Sequence, residues 1–287
     1  MAGKDTPFLK KSTLNCGGQL LDISSPRVMG ILNVTPDSFF DGNQYTVEAK
    51  IKARVGVMIS EGVDIIDIGG VSTRPKSSLI TEREELKRVL PAVEMIHDSF
   101  PNALLSIDTF RATVAKKSIL AGAHLVNDIS AGSFDKKMFD TLAELGVPYC
   151  MMHLSGSFSS MHQNTVYKNL LKEMLQYFSL KIEQLRIRGI KDIVIDPGFG
   201  FSKSLEQNFH LLKNLSLLQL LDVPILVGIS RKSMINKLLK TTPEEALNGS
   251  TVLNTLALQN GASILRVHDV KQAKQAIQLF SYYQQQA

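Results

Sequence analysis

Short apolar runs in this chain end repeatedly on polar or charged side chains of types that bind nitrogen heterocycles and phosphates. The clearest example is Asp196, which follows the β-branched run at 193–195 and precedes Pro197 and Gly198. The run is typical of a buried parallel strand, and the proline and glycine prevent the strand from continuing. A carboxylate at this point serves either as a turn residue or as a ligand-binding group.

The same arrangement recurs along the chain, which favours the ligand-binding role. The polar residues at the ends of the predicted strands are Asn33, Asp67, Asp108, Asn127, His153, Asp196, Ser230, Lys232, Arg266 and His268. A buried charge without a partner costs on the order of several kcal/mol, so packing alone does not explain a nearly complete set of polar strand ends. We therefore predict a functional site where these strands end.

The candidate residues form two chemical groups. Asp108, Asn127 and Asp196 supply acceptors for the N–H groups of a flat heterocycle, and each charge-assisted hydrogen bond contributes about 1.5–3 kcal/mol. The group suited to phosphate comprises Asn33, Arg74, Lys232, Arg266 and His268. Asn33 can also supply an oxygen to Mg²⁺, which takes few protein ligands and keeps water and phosphate oxygens. Asp67 either supports the site from behind or caps the next loop.

The elements that must position these residues alternate between strand and helix, which predicts a (β/α)8 TIM barrel. The predicted strands span residues 28–34, 64–69, 104–109, 124–129, 147–153, 192–196, 224–230 and 263–269. An open doubly wound sheet is the alternative. Residues 13–21 predict a hairpin that turns at Gly17 and Gly18 and closes the bottom of the domain. We expect a polar N-terminal segment at 1–12 and a single domain at 13–287. A helix at 205–221 is predicted to be capped by Ser202 or Ser204.

Composition limits the class of protein. The chain has 287 residues, 44% of them hydrophobic, and a net charge of +5. Because its lysines and arginines are dispersed and no RNA-binding aromatic signature is present, we expect no nucleic-acid partner. No run of 18 apolar residues occurs, so we expect no membrane association. Of the two cysteines, Cys150 is predicted to be a reduced core residue; no disulfide scaffold is indicated, and a cytoplasmic location is expected.

Six stretches, in order along the chain, resemble the signature motifs of the dihydropteroate synthase family. They are residues 31–39 (Ile-Leu-Asn-Val-Thr-Pro-Asp-Ser-Phe), 67–75 (Asp-Ile-Gly-Gly-Val-Ser-Thr-Arg-Pro), 127–129 (Asn-Asp-Ile), 196–201 (Asp-Pro-Gly-Phe-Gly-Phe), 230–232 (Ser-Arg-Lys) and 266–269 (Arg-Val-His-Asp). The resemblance implies a (β/α)8 barrel, a homodimer and Mg²⁺ as cofactor. It also implies a transferase of folate biosynthesis that joins 6-hydroxymethyl-7,8-dihydropterin diphosphate to 4-aminobenzoate, releases diphosphate and is a target of sulfonamides.

The resemblance also implies roles for individual residues. The positions that match the pterin site are Asp108, Asn127, Asp196 and Lys232. Those that match the diphosphate and metal site are Asn33, Arg266 and His268, with Asn33 as the metal ligand. Those that match the aminobenzoate site are Thr73, Arg74, Pro75, Phe201, Lys232 and Ser233. Asp37 and Phe39 lie on the first loop, which closes over the reacting centre. The residues implied in catalysis are Asp37, Arg74 and Lys232.

The chemistry is substitution at a methylene carbon that carries diphosphate. The arylamine nucleophile is already neutral at pH 7, so no strong general base is required. Cationic groups, and Mg²⁺ when bound, would stabilise the departing diphosphate, while Asp108 and Asp196 would favour positive charge that develops on the electron-rich pterin. We therefore expect a dissociative, S_N1-like path, which the family resemblance also implies.

The sequence departs from the family pattern at two places, and it leaves two alternative functions open. Val71 stands where the family commonly has glutamate, and Met-His-Leu-Ser-Gly at 152–156 replaces Met-His-Met-Gln-Gly. One rival function is a pterin-binding methyltransferase. The other is a non-catalytic paralogue that binds pterin or phosphate. The motifs at 230–232 and 266–269 argue for diphosphate chemistry over methyl transfer.

Overall fold

Parallel strands with helices between them form a barrel. The computed structural model describes residues 12–35, 44–73, 77–163 and 166–286. The strands are β1 (Thr13–Cys16), β2 (Gln19–Asp22), β3 (Arg27–Asn33), β4 (Ile65–Gly69), β5 (Leu105–Asp108), β6 (Leu125–Asp128), β7 (Tyr149–Met152), β8 (Ile193–Asp196), β9 (Leu226–Val227) and β10 (Ile264–Val267). The helices are α1 (Gln44–Ser60), α2 (Glu82–Ser99), α3 (Ala112–Leu120), α4 (Met138–Leu145), α5 (Leu170–Ile187), α6 (Leu205–Lys213), α7 (Ser233–Leu239), α8 (Leu247–Gln259) and α9 (Val270–Gln284), with a 3-10 helix at Leu215–Leu221.

The sheet has eight strands in the order β8-β7-β6-β5-β4-β3-β10-β9. Every neighbouring pair in it is parallel. A parallel bridge between Ile195 and Ile225 joins the two ends of this order, so the sheet closes on itself. The predicted (β/α)8 barrel is confirmed, and the alternative of an open doubly wound sheet is excluded.

Every second side chain of each strand points into the barrel, and this period places an apolar layer below a polar one. The buried apolar layer near the amino-terminal strand ends comprises Met29, Ile65, Leu104, Leu125, Cys150, Val194, Leu226 and Ile264. Two residues further along the same faces stand Asp67, Ser106, Asn127, Asp196, Gly228 and Arg266, with the apolar Ile31 and Met152 at the remaining two positions. The inside of the barrel is therefore apolar below and mostly polar at the carboxyl end, where barrel enzymes carry their active sites.

A hairpin of β1 and β2 covers the amino-terminal end of the barrel. The strands pair antiparallel with Cys16 opposite Gln19, so Gly17 and Gly18 form a two-residue turn. Their φ angles of 64° and 96° are both positive, as a type I′ hairpin turn requires. Leu14 and Leu21 are buried in the same cluster as the apolar layer of the barrel. The predicted hairpin and its closing position are confirmed.

The helix predicted at 205–221 is a shorter α-helix followed by a 3-10 helix. Ser204 caps α6 with a complete capping box that includes Gln207. Ser202 does not cap it, because its backbone is left-handed at φ 50°. The α-helix ends at Lys213, where the Asn214 side chain donates to the carbonyl of His210 at 2.8 Å. The prediction of one continuous helix was therefore wrong at its C-terminal half.

None of the helices within the described ranges combines the length and the apolar character needed to span a bilayer.

Candidate active site

The barrel register brings one row of site residues to the same level. Asn33 pairs with Gly69, Gly69 with Asp108, and Asp108 with Asn127, across three neighbouring strand pairs. A Cβ placed on Gly69 would stand 3.5 Å from Asn33 Oδ1 and 3.7 Å from Asp108 Oδ2. The absence of a side chain at Gly69 therefore leaves room between these two polar groups at the barrel mouth.

Asp67 connects two of the predicted ligand-binding residues. This fully buried carboxylate accepts from Arg266 Nε at 2.6 Å and from Asn127 Nδ2 at 3.0 Å. Because the Asn127 amide nitrogen donates to Asp67, its amide oxygen is left as an acceptor for a ligand. Of the two roles predicted for Asp67, the structure supports the one in which it holds site residues from behind, and not the one in which it caps the next loop.

Arg266 and Asp108 form an ion pair at the centre of the site. Arg266 Nη2 lies 2.7 Å from Asp108 Oδ2, and both side chains are partly exposed. Burial raises the pKa of Asp108 to about 7, with Asp67 adding to the increase and Arg266 opposing it. The sequence placed Arg266 with the diphosphate, whereas the structure holds it beside the residues predicted for the pterin. Its contact with diphosphate stays a prediction.

Asp196 and Lys232 border one space above Gly228. The Asp196 carboxylate accepts from the Gly198 N–H at 2.7 Å through Oδ1. A Cβ on Gly228 would lie 3.8 Å from Lys232 Nζ and 4.0 Å from Asp196 Oδ2. Burial lowers the pKa of Lys232 to about 8, although the carboxylate of Asp196 opposes this. The pair thus offers an acceptor and a donor next to an open position.

Ser230 and Arg231 hold the loop after β9 against the end of β10. Ser230 Oγ lies 3.1 Å from His268 Nδ1, and Arg231 makes two bonds to the Asp269 carboxylate at 3.0 and 2.6 Å. Arg231 adopts a left-handed φ of 57°, a strained conformation for a non-glycine residue that tends to occur at functional sites. These contacts position Lys232 and His268, while the phosphate role of His268 stays a prediction.

An apolar cluster lies beside this polar site and includes Phe201. Its buried members are Phe110, Ile129, Met152, Leu154, Met161 and Phe201, and Val71, Phe134 and Phe158 pack against them. Lys232 Nζ lies 4.6 Å from the centre of the Phe201 ring. The cluster gives a physical account of Val71, because a glutamate in its place would lie against these apolar side chains.

The structure describes only some of the residues predicted for the aminobenzoate site. Thr73 ends a described stretch on the loop after β4, and Ser233 is the exposed first residue of α7. Arg74 and Pro75 lie outside the described residues, as do Asp37 and Phe39 on the first loop. Their predicted roles stay predictions.

Lys203 is a site residue that the sequence reasoning did not single out. It is buried, and its Nζ donates to the carbonyl oxygens of Gly198 and Phe201, both at 3.1 Å, and lies 3.2 Å from His153 Nδ1. Burial lowers the pKa of Lys203 to about 7 and that of His153 to about 3. Lys203 therefore holds the turn that carries Phe201. The sequence feature that could have indicated Lys203 is its place just after a turn, where backbone carbonyl groups lack strand partners and need donors.

Comparisons with known proteins identify the family. A family model described as pterin binding enzyme matches residues 29–268. The dihydropteroate synthase of Escherichia coli strain K12 is 41% identical over 264 residues, which cover 91% of this chain and 93% of that protein. The chain belongs to the dihydropteroate synthase family.

Two solved structures of dihydropteroate synthases share this architecture. The Yersinia pestis enzyme in complex with a sulfonamide drug has a TM-score of 0.88 and 40% identity, covering 96% of this chain and 100% of that chain. The Xanthomonas albilineans enzyme with 4-aminobenzoic acid has a TM-score of 0.89 and 38% identity, covering 96% of this chain and 99% of that chain. At these identities the likeness extends to the sequence as well as the fold.

Proposed function

We propose that this chain condenses 6-hydroxymethyl-7,8-dihydropterin diphosphate with 4-aminobenzoate to give 7,8-dihydropteroate and diphosphate. The observation that carries the proposal is the set of acceptors on Asp108, Asn127 and Asp196, with Lys232, at the carboxyl end of a barrel of the dihydropteroate synthase family. The E. coli relative bears the name of this activity.

Pterin recognition follows from hydrogen bonds that the site leaves open. Each of the three acceptors already uses one of its polar atoms within the protein: Asp108 Oδ2 with Arg266, Asn127 Nδ2 with Asp67, and Asp196 Oδ1 with Gly198. The remaining oxygen of each group, Oδ1 of Asp108 and Asn127 and Oδ2 of Asp196, is then available to accept a hydrogen bond from the ligand. Three acceptors complement the N–H groups of an aminopyrimidine ring, and the ammonium of Lys232 complements its carbonyl oxygen.

The chain's own residues also suit the departure of diphosphate. The C–O bond to diphosphate breaks, a C–N bond forms to the arylamine, and the amine gives up one proton. Lys232 and His268 supply donors toward the leaving oxygens, and the carboxylates of Asp108 and Asp196 lie near positive charge that develops on the pterin. This arrangement supports an S_N1-like path.

Mg²⁺ fits the donor set of this site. Its single predicted protein ligand is the amide oxygen of Asn33, which lies at the barrel mouth near Asp108. Within the described residues no cluster of three or more His, Cys, Asp or Glu side chains suits a metal ion. A hard cation that keeps water and diphosphate oxygens needs no such cluster, and when bound it would neutralise charge on the leaving group.

The aminobenzoate and sulfonamides are proposed to share one side of the site. Phe201 offers an apolar ring face, and Lys232 lies near enough to it to meet a carboxylate or sulfonyl group. The relatives from X. albilineans and Y. pestis were solved with 4-aminobenzoic acid and with a sulfonamide drug, respectively. These two ligands support binding of both classes of compound by this chain, and Thr73, Phe201, Lys232 and Ser233 are the described residues that we assign to this side.

An assay with both substrates tests the proposal. Purified protein with Mg²⁺ should release diphosphate and form dihydropteroate only when the pterin diphosphate and 4-aminobenzoate are both present. Lys232→Ala should reduce the rate by more than about 100-fold, since it removes a charged group from the reacting centre. Pterin binding without condensation would favour the non-catalytic paralogue, and methyl transfer from a methylated folate would favour the methyltransferase.

We also propose that the chain forms a homodimer. Exposed large apolar side chains lie on the neighbouring helices α8 and α9: Val252, Leu256, Leu279, Tyr282 and Tyr283. Such a face favours burial against a second copy. Sedimentation velocity should give twice the chain mass of 31.7 kDa, and Leu279→Glu should shift the protein toward monomer. A monomeric wild-type protein at micromolar concentration would contradict the proposal.

A further inference from the structure

His162 lies between two loops of the aminobenzoate side. It stands on the loop between β7 and α5, and its Nε2 is 2.7 Å from the carbonyl oxygen of Thr73. Because a carbonyl oxygen only accepts, Nε2 carries the proton and donates it. The same imidazole ring stacks on Phe201, with the ring centres 5.3 Å apart and an angle of 26° between the planes.

The backbone beside His162 is held independently of this ring. The Met161 carbonyl accepts from the Ser202 N–H at 2.8 Å, and Ser202 Oγ donates to the Ser155 carbonyl at 2.6 Å. The loops after β7 and β8 are therefore joined without the imidazole. What the His162 side chain adds is a bond to a third loop, the one after β4 that carries Thr73.

Burial does not account for the position of His162. Its side chain is exposed, so it is not a histidine held in the core by surrounding apolar groups. Both of its contacts go to positions assigned to one substrate, since Thr73 and Phe201 belong to the proposed aminobenzoate side. Lys232 lies next to the same Phe201 ring. A substitution at His162 should therefore disturb the aminobenzoate side directly, because His162 contacts that side and not the pterin acceptors.

We propose that His162 is a positioning residue that ties the loop after β4 to the Phe201 ring and so sets the separation of the two walls of the aminobenzoate site. This role rests on the proposed function. The bond to Thr73 holds one wall, and the ring stack holds the other. The pterin acceptors lie on strands and are bonded to Asp67, Arg266 and Gly198, so they are independent of this link.

Three variants separate the two contacts. His162→Ala removes both, His162→Phe keeps an aromatic ring without the donor, and His162→Gln keeps a donor without the ring. We expect His162→Ala to raise the KM for 4-aminobenzoate about fivefold, and each of the other two about twofold. The KM for the pterin diphosphate should stay within twofold of wild type in all three. His210→Ala, an exposed histidine on α6, is the control and should change neither KM.

A second measurement does not depend on turnover. Hydrogen exchange should become faster at residues 69–73 in His162→Ala, while the hairpin at 13–22 keeps its wild-type rate. For His162→Ala, equal increases in both KM values or an aminobenzoate KM within twofold of wild type would overturn the positioning role, as would unchanged exchange at 69–73. If wild-type protein formed no dihydropteroate, the proposed function would fail, and the exchange experiment would still decide whether His162 holds the loop.

Discussion

The pterin end and the aminobenzoate side of this site are built on different parts of the barrel. The pterin acceptors Asp108, Asn127 and Asp196 lie within the last two residues of strands of a closed sheet, and Asp108 and Asn127 are joined to Arg266 and Asp67 by side-chain bonds. The aminobenzoate residues Thr73 and Phe201 lie on loops, and Ser233 begins a short helix. Their links run through single side chains, such as the bond from His162 to Thr73.

This difference predicts how the two ends respond to mutation. Groups that are bonded to one another before the ligand arrives lose little freedom on binding, so their contacts contribute strongly to affinity. Contacts on loops must also order the loop that bears them, and each contributes less. Substitutions at the strand-borne end should therefore cost more than those on the loop-borne side.

The largest effect is expected for Asp196→Asn. The variant keeps the shape of the side chain but replaces an acceptor oxygen with an N–H that faces a ligand donor. Leaving a buried polar contact unpaired in this way should cost about 3–5 kcal/mol of pterin affinity, measured by calorimetry. Asp222→Asn makes the same exchange at an exposed position outside the site and should leave affinity unchanged. Pterin binding within tenfold of wild type would remove Asp196 from the acceptor set.

Asp67→Asn should have the second largest effect, although Asp67 lies behind the ligand-binding residues and does not itself bind the ligand. It removes the negative charge that Arg266 Nε contacts at 2.6 Å, and a charge-assisted hydrogen bond contributes about 1.5–3 kcal/mol. We expect a loss of this size in the free energy of unfolding by urea, together with weaker pterin binding. Asp98→Asn, at an exposed position on α2, is the control. If stability fell while pterin affinity stayed at the wild-type value, Asp67 would be structural only.

The pH dependence of kcat/KM for the pterin substrate should reflect the titration of Asp108. Its pKa of about 7 means that the better acceptor, the carboxylate, forms as pH rises through 7. The kcat/KM for the pterin substrate should therefore fall by up to about tenfold per pH unit below 7. Asp108→Asn should remove this inflection. An inflection that persisted in the variant would assign it to another group, such as Lys203.

The contribution of Asp108 to folding stability should depend on pH in the opposite direction from kcat/KM. The folded state holds a proton on Asp108 that the unfolded state releases, because burial raises the pKa from 3.8 to about 7. The stabilising contribution of this group is fully present below pH 3.8 and is lost as pH rises through about 7. Urea unfolding at pH 5 and pH 8 should show Asp108→Asn losing this part of the pH dependence.

The smallest effect is expected for Phe201→Leu on the loop-borne side. Leucine keeps an apolar group but removes the ring face near Lys232 and His162, a loss of about 1 kcal/mol. The KM for 4-aminobenzoate should rise about fivefold, while pterin affinity should stay within twofold. Phe280→Leu on α9 makes the same change at a residue that packs against the main core and not against the cluster of Phe201. A loss as large as that of Asp196→Asn would abolish the distinction between the two ends.

Local patterns in the sequence were sufficient for the barrel and for most of its polar strand ends. Alternation along a strand has a period of two residues, so a carboxylate such as Asp196 at the end of an apolar run already indicates its level in the barrel. The pair Gly17-Gly18 likewise specifies a hairpin turn, because both residues adopt positive φ readily. The end of α6 was missed, since the apolar pattern of 215–221 continues although the hydrogen bonding changes from α to 3-10.

The sequence by itself determined which residue types reach the mouth of the barrel, and the tertiary structure decided which of them bond to one another. Asp67 and Arg266 are 199 positions apart, and only the closure of the sheet makes them neighbours. The role of Lys203 depends on the path of a turn, and that of His162 depends on three loops meeting above different strands. Side-chain pairing across a barrel follows from strand register and loop paths, which no local pattern contains.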